Sequence, residues 1–517
     1  MLKSVGLLMG ATMAGKVLLL VRESLIAHFF GASSATDSYN VAMTVVSALM
    51  AVTVAPISAV LVPVYTGWLT QERDGARELL NAAFTLYSIL LGLALAVAIL
   101  AAPVLVALAV PGFAAETQSL TVELLHILAF FMVLNGLAGY AQQILAAHYE
   151  FRLIGLAPVT ANLLTVILLW LLAPALGIHI LAWGTVAGAA LQLLVFAWGM
   201  RRYGLRQGFS RRRWGELRQL GQLSLWMVAG RFIGQLSELV DRNLLSWLPA
   251  GAIATLRFAQ YIYLLPFEIF TTGITRVVIT YFSWDVAQGD VQALKQNLSL
   301  SIRLAAFFML PATVGLTVLG VPIVRLLYER GQFTAGDTTA TALVVGCFAA
   351  GLFFEAVKFI AGRVFLSRQD VRFLTLMSLP SLALTVFFDL LLIPVLGAAG
   401  VALSASLGNL IIGAVFLARL RAQLGPLGGA RMARAILKIG TASAGMGLVV
   451  YGATRLPVHL PAGVAYEAVE LTILVTLGVL AYLAGLYALR LEELSIVRDL
   501  ARGLWRKCRA GNSRTAA

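Results

Sequence analysis

Charged residues are scarce in this sequence. Only 12% of the 517 residues are Asp, Glu, Lys or Arg, whereas 60% are hydrophobic, and the mean hydropathy is +0.89. A soluble protein could not cover its surface with so few polar groups. The apolar runs last about 18 residues or more, which is too long for the short alternating segments of a membrane β-barrel. The composition therefore predicts an all-α polytopic membrane protein.

Cysteine and the common catalytic motifs are also lacking. The only two cysteines are Cys347, in a predicted membrane span, and Cys508, near the C-terminus, so a disulfide between them is not expected. The sequence contains no CxxC, HExxH or GxxxxGK[ST] motif. We therefore predict a protein that is not an enzyme and that uses no metal and no cofactor.

The apolar runs predict about fourteen transmembrane helices of roughly 20 residues each. They lie near residues 4–30, 36–66, 78–110, 118–146, 153–173, 178–200, 220–247, 253–283, 297–320, 340–366, 373–395, 398–418, 435–454 and 463–489. Lys and Arg are concentrated in the segments 201–218, 365–372, 418–438 and 490–510. Because cytoplasmic loops retain positive charge, both termini are predicted to be cytoplasmic. The net charge of +14 then reflects topology and attraction to anionic membrane lipids, and no nucleic-acid motif is present.

A repeat with an offset of 220 residues runs through the chain. The pattern L-x-P-x-L-G occurs at 172–177 and again at 392–397, and Arg22 aligns with Arg242 and Asp37 with Arg257. Six helices per repeat give both halves the same orientation, as in transporters built from parallel repeats around a central cavity. The predicted organisation is a six-helix bundle at 1–200, a basic linker at 201–219, a second bundle at 220–420, an appended helix pair at 421–490 and a basic tail at 491–517.

Several charged side chains fall inside predicted spans, where each needs a partner or a wet cavity. Arg22 and Arg242 occupy equivalent positions and are predicted to face the cavity together. A surplus of cations there suits an anionic substrate, and guanidinium groups bind diphosphate through paired hydrogen bonds. Glu238 and Arg242 could instead form a structural pair that joins helices. The predicted substrate-binding residues are Lys16, Arg22, Asp37, Arg231, Arg242, Arg257 and Lys358.

The chain resembles the MurJ/MviN family of lipid II flippases, in the multidrug/oligosaccharidyl-lipid/polysaccharide exporter superfamily. The resemblance rests on short motifs spread over most of the first 420 residues: Lys16 with Val21-Arg22-Glu23, Ile26-Ala27 with Phe30-Gly31, Ala35-Thr36-Asp37, Ala157-Pro158 with Asn162, Arg303 with Leu310-Pro311, Gly331-Gln332-Phe333-Thr334 before Asp337, and Lys358 with Ser367-Arg368-Gln369-Asp370. It implies a flippase that carries undecaprenyl-diphosphate-linked peptidoglycan precursor across a bacterial plasma membrane by alternating access. It also implies that Lys16, Arg22 and Asp37 are required, and that the last two spans form a groove for the lipid tail.

Two positions depart from the family pattern. Met50 and Tyr261 stand where the family has arginines, and Arg257, one turn before Tyr261, could supply a lost charge. A flippase for another polyprenyl-diphosphate glycan, such as an exopolysaccharide precursor, is therefore an alternative. A cation-coupled drug antiporter and a scaffold that recruits the cell-wall synthesis machinery through the basic loops are further rivals. The antiporter predicts a net acidic cavity, and the scaffold predicts that removing Arg22 is harmless.

Overall fold

The structure is a computed structural model that describes residues 2–53, 65, 73–202, 208–209, 214–456 and 463–491. The predicted tail lies outside the described residues from 492 onward, and with it Cys508. Much of the predicted linker, 203–207 and 210–213, also lies outside them.

Long helices make up almost all of the described residues. Apolar sequence in a bilayer must satisfy its backbone hydrogen bonds within the segment, and a helix does so without a partner strand. In chain order the helices are α1 (Leu2–Phe30), α2 (Ser34–Thr53), α3 (Arg73–Leu100), α4 (Ala102–Ala109), α5 (Ala115–Ala147), α6 (Phe151–Leu176), α7 (His179–Arg202), α8 (Trp214–Leu245), α9 (Ala252–Gln288), α10 (Val291–Val318), α11 (Gly320–Tyr328), α12 (Ala335–Ser367), α13 (Val371–Leu396), α14 (Ala398–Leu424), α15 (Gly429–Thr454) and α16 (Val464–Ala488).

Ten of these helices are long and apolar enough to cross a membrane: α3, from Arg77, α5, α6, α7, α10, α12, α13, α14, α15 and α16. This confirms the prediction of a polytopic helical membrane protein. The long helices α1, α2, α8 and α9 are not among the ten. They are the first two predicted spans of each repeat, and most of the predicted site residues lie on them. The count of fourteen spans stays a prediction.

The structure repeats itself at the offset found in the sequence. Helix α12 begins and ends 220 residues after α5, and α13 does the same relative to α6. The turns between them also match, because Tyr149 and Gln369 both have a left-handed backbone, with φ values of 60° and 62°. Gly177 and Gly397 end the second helix of each pair at φ 58° and 59°. The offset of 220 is therefore confirmed as repeated structure for the pairs α5–α6 and α12–α13, and the division into two six-helix repeats stays a prediction.

The described residues pack into two compact units. Unit 1 consists of Met1–Phe258, Leu327–Thr341 and Val371–Ser404, and unit 2 consists of Ala259–Leu326, Ala342–Asp370 and Ala405–Ala517. These units divide the chain differently from the repeats, and α9, α11, α12 and α14 each contribute to both. The predicted domain boundaries stay predictions.

Unit 1 is held by close packing of α6 against α1 and α7, of α5 against α2 and α7, and of α8 against α13. Its core includes a cluster in which Tyr87 and Leu91 of α3 pack against Tyr140 and Ile144 of α5. The hydroxyl of Tyr140 donates to the backbone oxygen of Leu80 at 2.8 Å. A buried tyrosine of this kind adds apolar contact area while its polar atom stays satisfied.

In unit 2, α10 packs against the appended helices α15 and α16. Pro311 lies inside α10 and has no N–H, so it cannot pair with the carbonyl of Phe307 four residues earlier. The hydroxyl of Tyr482, on α16, donates to that carbonyl at 2.7 Å, and the rings of Phe307 and Tyr482 meet edge to face at 5.8 Å. The appended helix therefore satisfies a backbone group that the proline leaves unpaired.

Candidate functional site

Arg22 lies on α1 in an ion pair with its sequence neighbour. Its guanidinium donates to one carboxylate oxygen of Glu23, from Nε at 3.2 Å and from Nη2 at 2.7 Å. The side chains are only 16% and 5% exposed, respectively. Two donors directed at one charged acceptor hold the guanidinium in a defined orientation. The orientation of the Arg22 side chain is therefore set by Glu23 and does not require a ligand.

A buried tyrosine lies within electrostatic range of both Arg22 and Arg257. The hydroxyl of Tyr39 on α2 lies 3.0 Å from the hydroxyl of Thr185 on α7, and both residues are buried. The charges of Arg22, Glu23 and Arg257 all act on this hydroxyl. Arg257 is half-buried near the start of α9. Arg22 and Arg257, which belong to different repeats, therefore both lie within electrostatic range of one buried hydroxyl in unit 1.

Asp37 binds the beginning of a helix in the other repeat. Its side chain is 2% exposed, and its two oxygens accept from the backbone N–H groups of Gly251 at 2.6 Å and Ala254 at 2.7 Å. These amides belong to the first turn of α9, where N–H groups lack helical partners and favour an anion. The approach is tight, because Gly251 has φ 91° and a Cβ there would collide with the backbone of Ala32. The structure thus gives Asp37 a capping role, and its role toward substrate stays a prediction.

Arg242 differs from what the repeat predicts. Its side chain is only 1% exposed, whereas the equivalent Arg22 is half-buried. Arg242 donates from Nη2 to Glu238 at 3.2 Å and from Nε to the hydroxyl of Thr44 at 3.5 Å. The expectation that both arginines face a cavity does not hold for Arg242, because α2 and α8 pack closely around it. The structural pair with Glu238 is what the structure shows.

The remaining predicted site residues lie in three different settings. Lys16 is half-buried on α1, and Arg231 is exposed on α8. Lys358 is half-buried on α12 in unit 2, where its ammonium donates to Oδ1 of Asn409 on α14. The charges of Arg22 and Arg257 therefore both act on Tyr39 in unit 1, whereas Lys358 has a polar partner in unit 2.

A second acidic group was missed by the sequence reasoning. Asp389, on α13, is fully buried and interacts with Asp241 on α8. Both Asp389 oxygens and Oδ1 of Asp241 are buried, and the two carboxyl groups lie within hydrogen-bonding range of each other. Two carboxylates this close cannot both stay charged without a proton or a cation. The available signal was a single acid in the apolar run Leu384–Leu396, and only the position of α8 shows its partner.

An apolar cavity of about 540 Å³ lies within unit 2. Its walls come from α9, α10, α11 and the appended pair α15 and α16, and include Pro266, Phe307, Pro311, Val450, Gly478 and Tyr482. A cavity lined almost entirely by hydrocarbon side chains suits an apolar ligand. The appended helices supply one of its walls.

The arrangement can now be compared with known proteins. A model of the family described as "Lipid II flippase MurJ" matches residues 26–462, which is most of the chain. The chain belongs to this family. The probable lipid II flippase MurJ of Synechocystis sp. is 29% identical over 446 residues, covering 82% of each chain. That of Rhizobium meliloti is 28% identical over 407 residues, covering 76% of this chain and 75% of the relative.

A solved structure of a MurJ protein agrees with the fold. The structure described as "Lipid II flippase MurJ, inward closed conformation" matches with a TM-score of 0.79 at 23% identity and covers 96% of this chain and 99% of that one. At this identity the likeness establishes the fold. The MurJ fold and family predicted from the short motifs around Arg22 and Asp37 are therefore confirmed.

Proposed function

We propose that this protein is a lipid II flippase, which moves undecaprenyl-diphosphate-linked peptidoglycan precursor across the bacterial plasma membrane by alternating access. The family match over residues 26–462 carries this proposal. The protein's role in cell-wall biogenesis follows, because lipid II is the precursor of peptidoglycan. A flippase transports its substrate and performs no chemical conversion.

Arg22 and Arg257 supply the binding site for the diphosphate. Their charges act on the Tyr39 hydroxyl from different repeats, and Glu23 fixes the orientation of Arg22. Guanidinium groups match phosphate oxygens through paired hydrogen bonds, which a lysine cannot reproduce. Lys16, Arg231 and Lys358 are the further candidate cations. Asp37 and Arg242 act in this proposal by holding α9, α2 and α8 in place.

The apolar cavity of unit 2 binds part of the polyprenyl tail. Burial of hydrocarbon in the cavity replaces lipid contacts at little cost, so the tail stays in an apolar environment while the head group moves. Tyr482 and Phe307 shape this cavity through the hydrogen bond that compensates for Pro311. The appended pair α15 and α16 therefore has a function that the twelve repeat helices do not supply.

Both termini are cytoplasmic in this proposal, because the basic segments 201–218, 365–372, 418–438 and 490–510 then lie on the inner side. The membrane potential can drive transport, since one charge crossing it is worth about 2.3 kcal/mol per 100 mV. Contact with the cell-wall synthesis machinery would use the same basic inner surface.

A second candidate substrate is a different polyprenyl-diphosphate glycan. Met50 and Tyr261 replace two cations of the family pattern, and in this structure the Met50 sulfur lies 4.0 Å from the Asn135 amide. Both substrates contain a diphosphate, so Arg22 and Arg257 would bind either of them and do not discriminate between the two.

The deciding experiment is rescue of a bacterial strain depleted of its own lipid II flippase. Expression of this protein should restore growth and cell shape, and deletion of residues 498–517 should not prevent the rescue. Failure to rescue at normal membrane levels, together with restored export of an exopolysaccharide, would favour the second substrate. Rescue by Arg22→Ala but not by the tail deletion would favour a scaffold.

A further inference from the structure

In unit 1, the end of α1 docks on the end of α11 and on the turn that precedes α12. The hydroxyl of Ser24 donates to the backbone oxygen of Leu327 at 2.6 Å, and the backbone N–H of Gln332 donates to the backbone oxygen of His28 at 2.9 Å. The chains approach so closely that a Cβ at Gly331 would collide with the same oxygen of His28. We call this set of contacts the first latch. It ties the first repeat to the second.

The end of α8 docks in the same way on the end of α4 and on the turn that precedes α5. The side-chain amide of Asn243 donates to the backbone oxygen of Leu108 at 2.9 Å, and the backbone N–H of Gly112 donates to the hydroxyl of Ser246 at 3.1 Å. A Cβ at Gly112 would lie 2.6 Å from the backbone oxygen of Ser246, so this approach also requires glycine. We call this set of contacts the second latch.

The two latches are equivalent at the offset of 220. Gln332 corresponds to Gly112, and the other contact points fall within two residues of equivalence. Each latch consists of one side-chain donor to a backbone oxygen and one backbone N–H donor. The two repeats therefore hold each other reciprocally, because the first helix of each docks on the turn before the fourth predicted span of the other.

A further contact joins the corners that follow the two latches in the chain. A Cβ at Gly251 would collide with the backbone oxygen of Ala32, and Asp37 caps the first turn of α9 beside it. In the proposed topology α1 and α8 both run from the inner to the outer side of the membrane. The latches and this corner contact therefore all lie on the outer side.

We infer that the two latches close the outer exit for the substrate head group and that loss of either one shifts the protein toward its outward-open state. This inference rests on the proposed function, since alternating access requires a closure on the side opposite the entrance. Two hydrogen bonds per latch are few enough for substrate binding to shift the equilibrium between closed and open. The closure depends on the absence of a side chain at Gly331 and Gly112, because a larger residue holds the backbones apart.

The test measures how fast a membrane-impermeant maleimide labels a cysteine beside the first latch in spheroplasts. Ala27→Cys, at a fully buried position next to His28, is the reporter after Cys347 and Cys508 have been replaced by alanine. Gly331→Ala and Gly112→Ala should each raise the labelling rate about fivefold or more, the factor that corresponds to loss of one hydrogen bond.

Matched controls separate opening of the latches from other effects of the substitutions. Gly397 has φ 59°, close to the 61° of Gly331, but a Cβ there would meet no atom nearer than 3.8 Å. Gly397→Ala therefore introduces the same backbone strain without a collision and should leave the labelling rate unchanged. Gly336→Ala, where the nearest atom is 3.5 Å away, is the control for Gly112→Ala. A reporter at the fully buried Leu169 of α6 detects general loosening and should stay unlabelled in every variant.

The outcomes separate the inference from the proposed function, because labelling does not require lipid II. Unchanged labelling in Gly331→Ala or in Gly112→Ala would overturn the inference, as would equal increases in the control variants. If a glycine variant does not insert, Ser24→Ala and Asn243→Ala remove only the side-chain donors and should raise labelling about threefold. Unchanged labelling in these two variants would also overturn the inference. A wild-type protein that moves no lipid II would overturn the proposed function, whatever the labelling rates.

Discussion

Helices α5 and α12 have the same length and position in the two repeats but differ in what they bury. Where α5 has Asn135 and the buried Ala138, α12 has Glu355 and Lys358. The next pair differs in the same way, because Leu169 of α6 and Asp389 of α13 are both fully buried at equivalent positions. The shared helix bounds show that the backbone does not require these charges. The comparison therefore separates the fold, which both repeats share, from the charged groups that only the second repeat has at these positions.

The first repeat, in turn, buries its charged groups in α1 and α2. Arg22 pairs with Glu23, and Asp37 binds the first turn of α9. Equivalent positions thus have different roles: Asp37 caps a helix, whereas Arg257 carries a positive charge that acts on the Tyr39 hydroxyl. The two repeats share a fold, but at equivalent positions they carry side chains of different charge and function.

The largest expected effect on stability concerns Arg242, the repeat partner of Arg22. Arg242→Ala leaves Glu238 and the neighbouring acids of α8 without their buried cation, which should cost about 3–5 kcal/mol. The measurement is unfolding of the detergent-solubilised protein, together with its level in the membrane. Arg22→Ala is the matched comparison, and it should cost less, because the side chain of Arg22 is more exposed than that of Arg242. Equal losses in the two variants would show that the equivalent positions do not differ.

Removal of the cap at Asp37 should have a smaller effect. Asp37→Ala leaves two amides at the start of α9 without an acceptor, at a cost of about 1–2 kcal/mol. Asp37→Asn keeps an acceptor oxygen but not the charge, so it should lose less. Hydrogen exchange at the backbone amides of Gly251 and Ala254 reports the effect directly. Unchanged protection of these amides in Asp37→Ala would contradict the capping role.

The smallest effect is expected at Tyr482. Tyr482→Phe removes the donor to the Phe307 carbonyl and should destabilise the protein by about 1 kcal/mol. In a Pro311→Ala background the helix can satisfy that carbonyl itself, so the second substitution should cost much less. Tyr487→Phe, at an exposed position of the same helix, serves as the control. An equal cost of Tyr482→Phe in both backgrounds would show that the proline does not explain the hydrogen bond.

The sequence predicted those features that depend on local pattern or constant spacing. The apolar runs predicted the helices, and the offset of 220 predicted the repeated structure that α5–α6 and α12–α13 show. Glu238 and Arg242 were recognised as partners because they are four residues apart.

Contacts between distant segments could not be predicted in this way. Asp37 and Gly251 are 214 residues apart, and nothing in either segment indicates that one caps the other. The burial of Arg242 depends on how closely α2 approaches α8, and the sequence repeat does not indicate that distance. Asp389 was missed because a single acid in an apolar run does not indicate a site by itself. Its partner, Asp241, lies on α8 and is distant in sequence.

The central claim is that Arg22 binds the diphosphate of lipid II during transport, and one measurement tests it most directly. Labelled lipid II exposed on the outer surface is quantified in spheroplasts depleted of their own flippase, with membrane levels of each variant checked. The wild-type protein should restore exposure of lipid II, and Arg22→Ala should abolish it at a normal membrane level. Arg22→Lys should recover part of the exposure, because lysine keeps the positive charge but lacks the planar guanidinium group that forms paired hydrogen bonds. Full transport by Arg22→Ala would contradict the claim.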